Sequence, residues 1–341
     1  MRRQWLKGLL GVVMLGALAS AGPAAEMKKV VILDFPQDAL RQKLVEQTIK
    51  GLEQGGFVDQ QNIEIHMVHP KSAEEEIIQI QTLNPSVVIG MSPRLQQTMS
   101  LIDGQPTPFI TIYGVEDYVD AQGLPKKMIT GMYSVLPDMV YHSFKFFNKV
   151  APLQSGKKVV FLWNSISNLI RQEYVEDACR RLNIPLKAIV DATVVEDWQA
   201  AIAQYNNDPE IGWFILASSP FVKRDGSAVD VIKDIYTWQQ EHQRKPTLAY
   251  FETVVKGGAL CGFAIDLDDR SHQAGEMAAR VLKGEDVKTI NAEYPRKTLV
   301  ALNRKTADTL GIMFSLDVLN LANVIYHDWE GKEVSRKSGL K

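Results

Sequence analysis

Strand-like and helix-like segments alternate along almost the whole chain, and this alternation limits the folds open to it. The run KKVVILD at residues 28–34 is apolar and continuous, which is typical of a strand buried on both faces. A helical pattern follows from Leu40 to Gln54 and stops at Gly55 and Gly56. Strand, helix and strand in this order imply right-handed crossovers and a parallel sheet covered by helices. The pattern therefore predicts an α/β fold.

The alternation occurs in two successive units. The first continues with the strand-like runs IEIHMV, SVVIG, PFITIY and MITGMY, and Ser72 with Glu75 forms a capping box that opens one of its helices. The second has the runs KVVFLW, LKAIV, WFILA and TLAYF, again separated by helices. A third section adds one helix, the strand TLVALN, and helical stretches from Lys305 to Leu310 and from Asp317 to Tyr326. The tail from Asp328 is polar, and we expect it to be frayed. A chain of 341 residues has room for two such domains.

The first 25 residues lie outside this pattern, and we predict that they form a secretory signal peptide. MRRQWLK supplies three basic residues, and GLLGVVMLGALAS is an apolar run too short to cross a bilayer comfortably. Small residues follow, so cleavage is predicted after Ala21 or Ala24. An uncleaved membrane anchor is the alternative. No Cys stands at the cleavage point to accept a lipid, so the pattern predicts a secreted protein without a lipid anchor.

The net charge and the two cysteines limit the classes of function that this chain can have. Without the signal, 35 Lys and Arg face 40 Asp and Glu, a net charge of −5, which gives no electrostatic case for nucleic acid. Cys179 and Cys261 are far apart and form no CxxC motif. An oxidising compartment permits a disulfide between them. Two buried free thiols are the simpler interpretation, because Cys179 falls in a helical pattern and Cys261 in a strand-like one.

No recognisable catalytic or cofactor-binding motif is present. The sequence has no G-x-S-x-G, Walker, G-x-G-x-x-G or H-E-x-x-H signature. His66 and His69 would point to opposite faces of a strand. Glu116 and Asp117 are adjacent and make a poor acid/base pair, and Asp117 is expected to bond local backbone in a turn. Neither an enzyme nor a bound cofactor or metal is predicted.

The strand ends carry the informative polar and aromatic residues. Ligands bind beyond the carboxyl ends of strands in open parallel α/β sheets, so these ends are the candidate binding positions. The candidates are Phe35, Pro36, Gln37, Ser92, Tyr113 and Gly114 in the first unit, Trp163, Asn164, Ser165, Ser218, Phe251 and Glu252 in the second, and Asp266 in the third section.

Their chemistry suits a small zwitterion with an apolar side chain. Serine hydroxyls and backbone N–H groups at helix starts suit a carboxylate, and Glu252 or Asp266 suits an ammonium group. The rings of Phe35, Tyr113 and Trp163 suit an apolar or aromatic moiety, with ordinary packing as the alternative for each ring. A glycine beside Tyr113 would let a ligand approach the backbone.

Seven segments together resemble the periplasmic substrate-binding proteins of the ABC transporter family that includes tryptophan and tyrosine binders. They are GLEQGGFVDQQNIEI, LNPSVVIG, TPFITIYGVED, MITGMYS, KKVVFLWNS, GEMAARVLKGEDV and LVALNRKTADTLGI, and the resemblance runs from about Lys28 to Tyr326. It implies the type I periplasmic-binding-protein fold, in which two doubly wound parallel-sheet lobes are joined by three chain crossings. The implied division is a signal peptide at 1–25, lobe 1 at 28–136 plus 268–302, lobe 2 at 137–267 plus 303–327, and a polar tail at 328–341.

The resemblance also implies a function. It is that of a monomeric solute receptor that closes its lobes on an amino-acid-like ligand and presents it to an inner-membrane ABC permease. A module that reports ligand to a membrane sensor kinase or chemoreceptor is the alternative, and gene neighbours would separate the two. Two positions depart from the family: Asp117 is followed by Tyr118 rather than Pro, and Ser218 stands where many members carry an Asp. The second departure removes one ammonium partner that relatives have.

Overall fold

The computed structural model describes residues 27–33, 39–69, 72–91, 95–112, 114–136, 138–167, 169–217 and 221–337. The first unit contains β1 (Lys28–Leu33), α1 (Ala39–Gln54), β2 (Ile63–Val68), α2 (Ala73–Leu83), β3 (Val87–Gly90), α3 (Leu95–Ile102), β4 (Phe109–Thr111), a 3-10 turn (Glu116–Tyr118) and β5 (Ile129–Gly131). Its strands form a parallel sheet in the order β2-β1-β3-β4-β5. The predicted cap of α2 is present, since the Ser72 side chain accepts a hydrogen bond from the Glu75 N–H at 3.2 Å.

The second unit carries a larger, mixed sheet. It contains α4 (Met139–Val150), β6 (Lys158–Trp163), α5 (Gln172–Leu182), β7 (Leu186–Asp191), α6 (Val195–Asn206), β8 (Ile211–Leu216), a π-helix (Val231–Thr237), α7 (Trp238–His242), β9 (Thr247–Ala249), α8 (Glu252–Lys256) and β10 (Cys261–Ile265). Then follow α9 (Leu267–Leu282), a 3-10 turn (Val287–Thr289), β11 (Thr298–Asn303), α10 (Arg304–Leu310), α11 (Leu316–Leu321), β12 (Val324–Tyr326) and β13 (Glu333–Arg336). The sheet order is β13-β12-β11-β10-β9-β8-β6-β7, with β10–β11 and β12–β13 antiparallel.

Two predictions for the C-terminal region were wrong. The stretch from Asp317 to Tyr326 is helical only as far as Leu321, because the run Val324–Tyr326 pairs with β11 and buries Val324 completely. The polar tail is not free of structure either. Its residues Glu333–Arg336 pair antiparallel with β12 and extend the second sheet by one strand.

Within the described ranges the chain passes between the sheets three times. The first crossing leaves β5 at residues 132–136, the second passes Asp266 between β10 and α9, and the third runs through residues 290–297 to β11. The two-lobed division by residue number stays a prediction. However, β11 falls inside the range 268–302 that we assigned to lobe 1, and its buried residues pair with β10 and β12 of the second sheet instead.

The second crossing delivers α9 to the core of the first sheet. Ala274, Met277 and Ala278 of α9 are buried with the residues of β1 and β3. The backbones of α1 and α9 come very close, since a Cβ on Gly275 would lie 2.1 Å from the Thr48 carbonyl oxygen. Only glycine fits at such an approach.

The second sheet buries apolar side chains on both faces, in two separate clusters. Cys179 and Cys261 are free and buried, which confirms the simpler interpretation of the two thiols. No helix in the described ranges is both long enough and apolar enough to span a bilayer.

Candidate ligand-binding cleft

Loops from the carboxyl ends of the two sheets meet at an ion pair. Asp117 lies in the 3-10 turn after β4, and Arg171 lies in the loop between β6 and α5. Arg171 Nη2 donates to Asp117 Oδ2 at 2.9 Å. Burial alone would lower the pKa of Arg171, but its hydrogen bond to Asp117 raises it. We expected the Asp117 side chain to bond local backbone in the turn, but its carboxylate instead joins the two units.

The two sheets also meet at a small cavity of about 100 Å³. Its walls include Lys43 from α1 in the first unit, and Glu252 and Arg336 from the second. Asp266, at the second crossing, also lines this cavity. The loop after β9 thus faces the beginning of the helix after β1.

The order of strands in the sheets shows what lies between these two contacts. β3 stands between β1 and β4, and β8 stands between β6 and β9. The carboxyl ends of β3 and β8 therefore face the space between the ion pair and the small cavity, which we call the cleft. The predicted residues Phe35, Pro36, Gln37, Ser92, Tyr113 and Ser218 lie outside the described residues.

The carboxylate of Glu252 is engaged inside the protein. Its Oε1 accepts hydrogen bonds from Tyr326 Oη at 2.5 Å and from Arg336 Nη2 at 2.6 Å. Burial, and after it this hydrogen bond, raises the pKa of Tyr326. Since Arg336 supplies the counter-charge, Glu252 anchors β13 and is a weak candidate for binding a ligand ammonium.

Asp266 is the better placed acid. One of its oxygens caps α9 by accepting from the Asp269 N–H at 3.1 Å, and among the described residues it forms no ion pair. Neighbouring Asp269 has its own partner, Lys297, at 2.7 Å. Burial raises the pKa of Asp266, followed by the charges of Asp268 and Asp269. A partly buried carboxylate without an ion-pair partner suits an incoming ammonium group.

Asn164 and Ser165 shape the loop after β6. Asn164 is fully buried, and its Oδ1 accepts from the backbone N–H groups of Ile166 and Ser167 at 3.1 and 2.8 Å. The Ser165 N–H donates to Thr193 Oγ1 at 2.9 Å, and the two hydroxyls are 3.1 Å apart. Asn164 therefore orders the loop, whereas Ser165 is exposed.

The candidate aromatic residues and the glycine have different surroundings. Trp163 and Phe251 are each half-buried and pack against one core cluster of the second sheet. Gly114 is buried with φ +82°, and Gln96 Nε2 donates to its carbonyl oxygen at 3.0 Å. A Cβ on Gly114 would lie 2.0 Å from that nitrogen. The Gln96 side chain therefore fills the space beside the Gly114 backbone that we expected a ligand to use.

The edges of the cleft also contain two ion pairs that sequence reasoning missed. Arg171 and Asp117 are 54 positions apart, and Arg336 and Glu252 are 84 apart. Neither pair has a local pattern that marks it. Lys43 belongs to an ordinary amphipathic helix and pairs with Asp268.

Comparisons with known proteins identify the family and the fold of the chain. A family model described as ABC transporter substrate binding protein matches residues 29–325. An ABC domain from Streptococcus pneumonia, solved in complex with L-Trp, has a TM-score of 0.72 and 17% identity, covering 88% of this chain and 99% of that one. A conserved domain protein from Vibrio cholerae has a TM-score of 0.71 and 17% identity, with coverages of 88% and 100%.

A third similar structure is a ligand-free, open substrate binding protein with adhesive properties from Clostridium difficile. Its TM-score is 0.63 at 15% identity, and the alignment covers 91% of this chain and all of the other. Among curated proteins, none matches this sequence. At such identities the likeness shows the fold, and it confirms the predicted type I arrangement of two α/β lobes.

Proposed function

The chain belongs to the family of ABC transporter substrate-binding proteins, and on that basis we propose that it is an exported receptor for a small amino-acid-like solute. The observation that carries the proposal is the cleft itself. Strand ends of both sheets face it, and it is bounded by the Arg171–Asp117 ion pair and by the cavity that Asp266 lines. A ligand that contacts both sides favours the closed arrangement, and an inner-membrane ABC permease would recognise that arrangement.

The chemistry of the cleft supports an amino-acid-like ligand. Asp266 offers a carboxylate for an ammonium group, and the half-buried rings of Trp163 and Phe251 offer apolar surface beside it. A protein of the same fold was solved with L-Trp. We therefore place aromatic amino acids first among the candidate ligands. Serine hydroxyls at Ser92 and Ser218 would complete the site by binding the carboxylate.

The other parts of the proposal follow from the sequence. The signal pattern of the first 25 residues supports export to the periplasm, and the net charge of −5 after its removal gives no reason to expect nucleic acid. The family is defined by substrate binding rather than by a reaction. We propose a monomer that binds without chemical change to the ligand.

Thermal-shift measurements on the mature protein test the proposal. The protein is unfolded, dialysed and refolded to remove any bound solute, then screened with amino acids and with sugars. We expect at least one amino acid to raise the melting temperature. Asp266→Asn should weaken its binding about tenfold or more, because a charge-assisted hydrogen bond is lost. Asp197→Asn, which alters a surface ion pair of α6, is the matched control. A correctly refolded protein that no amino acid stabilises would count against this function.

A further inference from the structure

A second cavity, of about 310 Å³, lies beside the Arg171–Asp117 ion pair. It is walled by the first and third chain crossings and by helices α4 and α5. We call it the tyrosine cavity, because four of its lining residues are Tyr133, Tyr141, Tyr174 and Tyr294. None of its lining residues is a candidate residue of the cleft or lines the small cavity at Asp266. We propose that the tyrosine cavity is a second binding site, selective for a small organic cation of the ammonium class.

The aromatic rings provide the first part of such a site. Tyr133 and Tyr294 stack with their ring centroids 4.4 Å apart, and they come from different crossings. Tyr141 already holds a cation on one face, since the Arg181 guanidinium carbon lies 3.9 Å from its ring centroid. Aromatic faces attract cations through their negative quadrupole, and several rings around one space favour an ammonium ligand.

The charges of the wall provide the second part. Three carboxylates line the cavity, from Glu116, Asp138 and Asp177, and no Lys, Arg or His is among its described lining residues. Arg181 pairs with Asp138 at 2.5 Å and with Asp177 at 3.2 Å, and Arg180 pairs with Asp177 as well, so that two arginines neutralise these two carboxylates. Arg171 is committed to Asp117 and lies 3.7 Å from Glu173. The wall therefore keeps one uncompensated negative charge.

That charge belongs to Glu116. Its carboxylate accepts hydrogen bonds from the Ser134 N–H at 2.6 Å and from Ser134 Oγ at 3.1 Å, which fix its position. In the part of the chain that the structure describes, it forms no ion pair. Burial raises the pKa of Tyr174, and the nearby Glu116 charge adds more to the effect than the opposing Arg171 charge removes. Burial also raises the pKa of Tyr133, with a further contribution from Glu116. The phenols thus face a negative potential, which a bound cation would relieve.

The volume of the tyrosine cavity and the residues that line it favour a compact cation over a zwitterion. The volume is at the lower end of the range for small-molecule sites. The remaining wall is apolar, with Val135, Leu136 and Met139. A ligand carboxylate would meet no Lys, Arg or His among the described lining residues and would lie close to Glu116. The site therefore differs in selectivity from the proposed amino-acid cleft.

Calorimetric titration of the full mature protein with choline tests the proposal, with 3,3-dimethyl-1-butanol as its uncharged isostere. We expect saturable binding of choline and an affinity for the isostere lower by about tenfold. Glu116→Gln should weaken choline binding by about fivefold or more, and Tyr294→Leu should weaken it comparably, because each removes one part of the cation site. Tyr294 is 44% exposed, so its replacement should not disturb folding and keeps the test valid if Glu116→Gln fails to fold.

Trp163→Leu, in the cleft, is the control that should leave choline affinity unchanged. Three results would overturn the assignment. These are titrations without saturable binding, equal affinities for choline and its isostere, or a loss of choline binding in Trp163→Leu while Glu116→Gln and Tyr294→Leu bind normally. The last result would locate the cation in the cleft.

Discussion

Arg171 and Asp117 form a hydrogen-bonded ion pair across the two units, with 2.9 Å between Nη2 and Oδ2. The Arg171 side chain is 19% exposed and that of Asp117 is 66% exposed. Ion pairs with one largely solvated partner contribute about 0–1 kcal/mol. A contact of this strength would bias the lobes toward one another and would still break at little cost if they separate.

Arg171→Ala should therefore shift the lobes toward the open arrangement. Spin labels on cysteines introduced at the exposed positions Lys50 and Ala200 would report the distance between the lobes. We expect a larger population at long distances in Arg171→Ala than in the wild type, and a smaller difference at high salt because the pair is screened. Arg224→Ala removes a pair with Asp197 inside the second unit and should not change the distances. Identical distributions for Arg171→Ala and the wild type would show that the pair does not influence closure.

Gly275→Ala should destabilise the protein through the contact between α1 and α9. An alanine in a helix interior normally gains about 1 kcal/mol over glycine. Here its Cβ would meet the Thr48 carbonyl oxygen at 2.1 Å, and forced overpacking costs about 1–3 kcal/mol or more. We expect the clash to exceed the propensity gain in urea unfolding. Gly284→Ala, where a Cβ meets no atom within 4 Å, reports backbone strain alone and should cost less. A neutral or stabilising Gly275→Ala would contradict the close approach.

Asp266 should give stability a dependence on acid pH. Its folded-state pKa is raised above the usual value of 3.8, chiefly by burial, so folding favours the protonated form. The sign follows from linkage: the contribution is fully present below the unfolded pKa and is lost as pH rises through the folded pKa. Asp266→Asn keeps an N-cap but cannot titrate. Urea unfolding of both proteins from about pH 3.5 to 7 should show the wild type losing stability relative to Asp266→Asn as pH rises. The opposite slope would mean that a cation stabilises this carboxylate.

Both native thiols should resist labelling in the folded protein. Burial raises the pKa of Cys179 to about 12 and also raises that of Cys261. Few thiolates are present at neutral pH, and the side chains are inaccessible. A chromogenic disulfide reagent should react slowly with the native protein and with two thiols per chain after unfolding. Rapid labelling under native conditions, or fewer than two thiols after unfolding without reductant, would contradict the buried free state.

Local patterns were sufficient for most of the framework. The apolar run of β1 and the Ser72 cap of α2 act through neighbouring residues, so the sequence displays them directly. β12 was missed because Val324–Tyr326 is too short for its period to differ from that of a helix, and pairing with β11 decides its conformation. β13 was also missed, because its mostly exposed residues show no alternation of apolar and polar side chains.

The site was less predictable, because its geometry depends on pairs that are distant in sequence. Glu252 has the chemistry of an ammonium partner, but Arg336 already neutralises it. Gly114 has the freedom that a ligand approach needs, but Gln96 fills the space. Residue type shows what a side chain is able to bind, and only the fold shows what it has already bound.

Mass spectrometry of the small molecules released when the natively purified, signal-processed protein is unfolded tests the central claim most directly. The account predicts one amino-acid-like molecule, present at up to one equivalent per chain, that binds again when added to the refolded protein. Release of no small molecule, together with failure of every amino acid to bind the refolded protein, would contradict it.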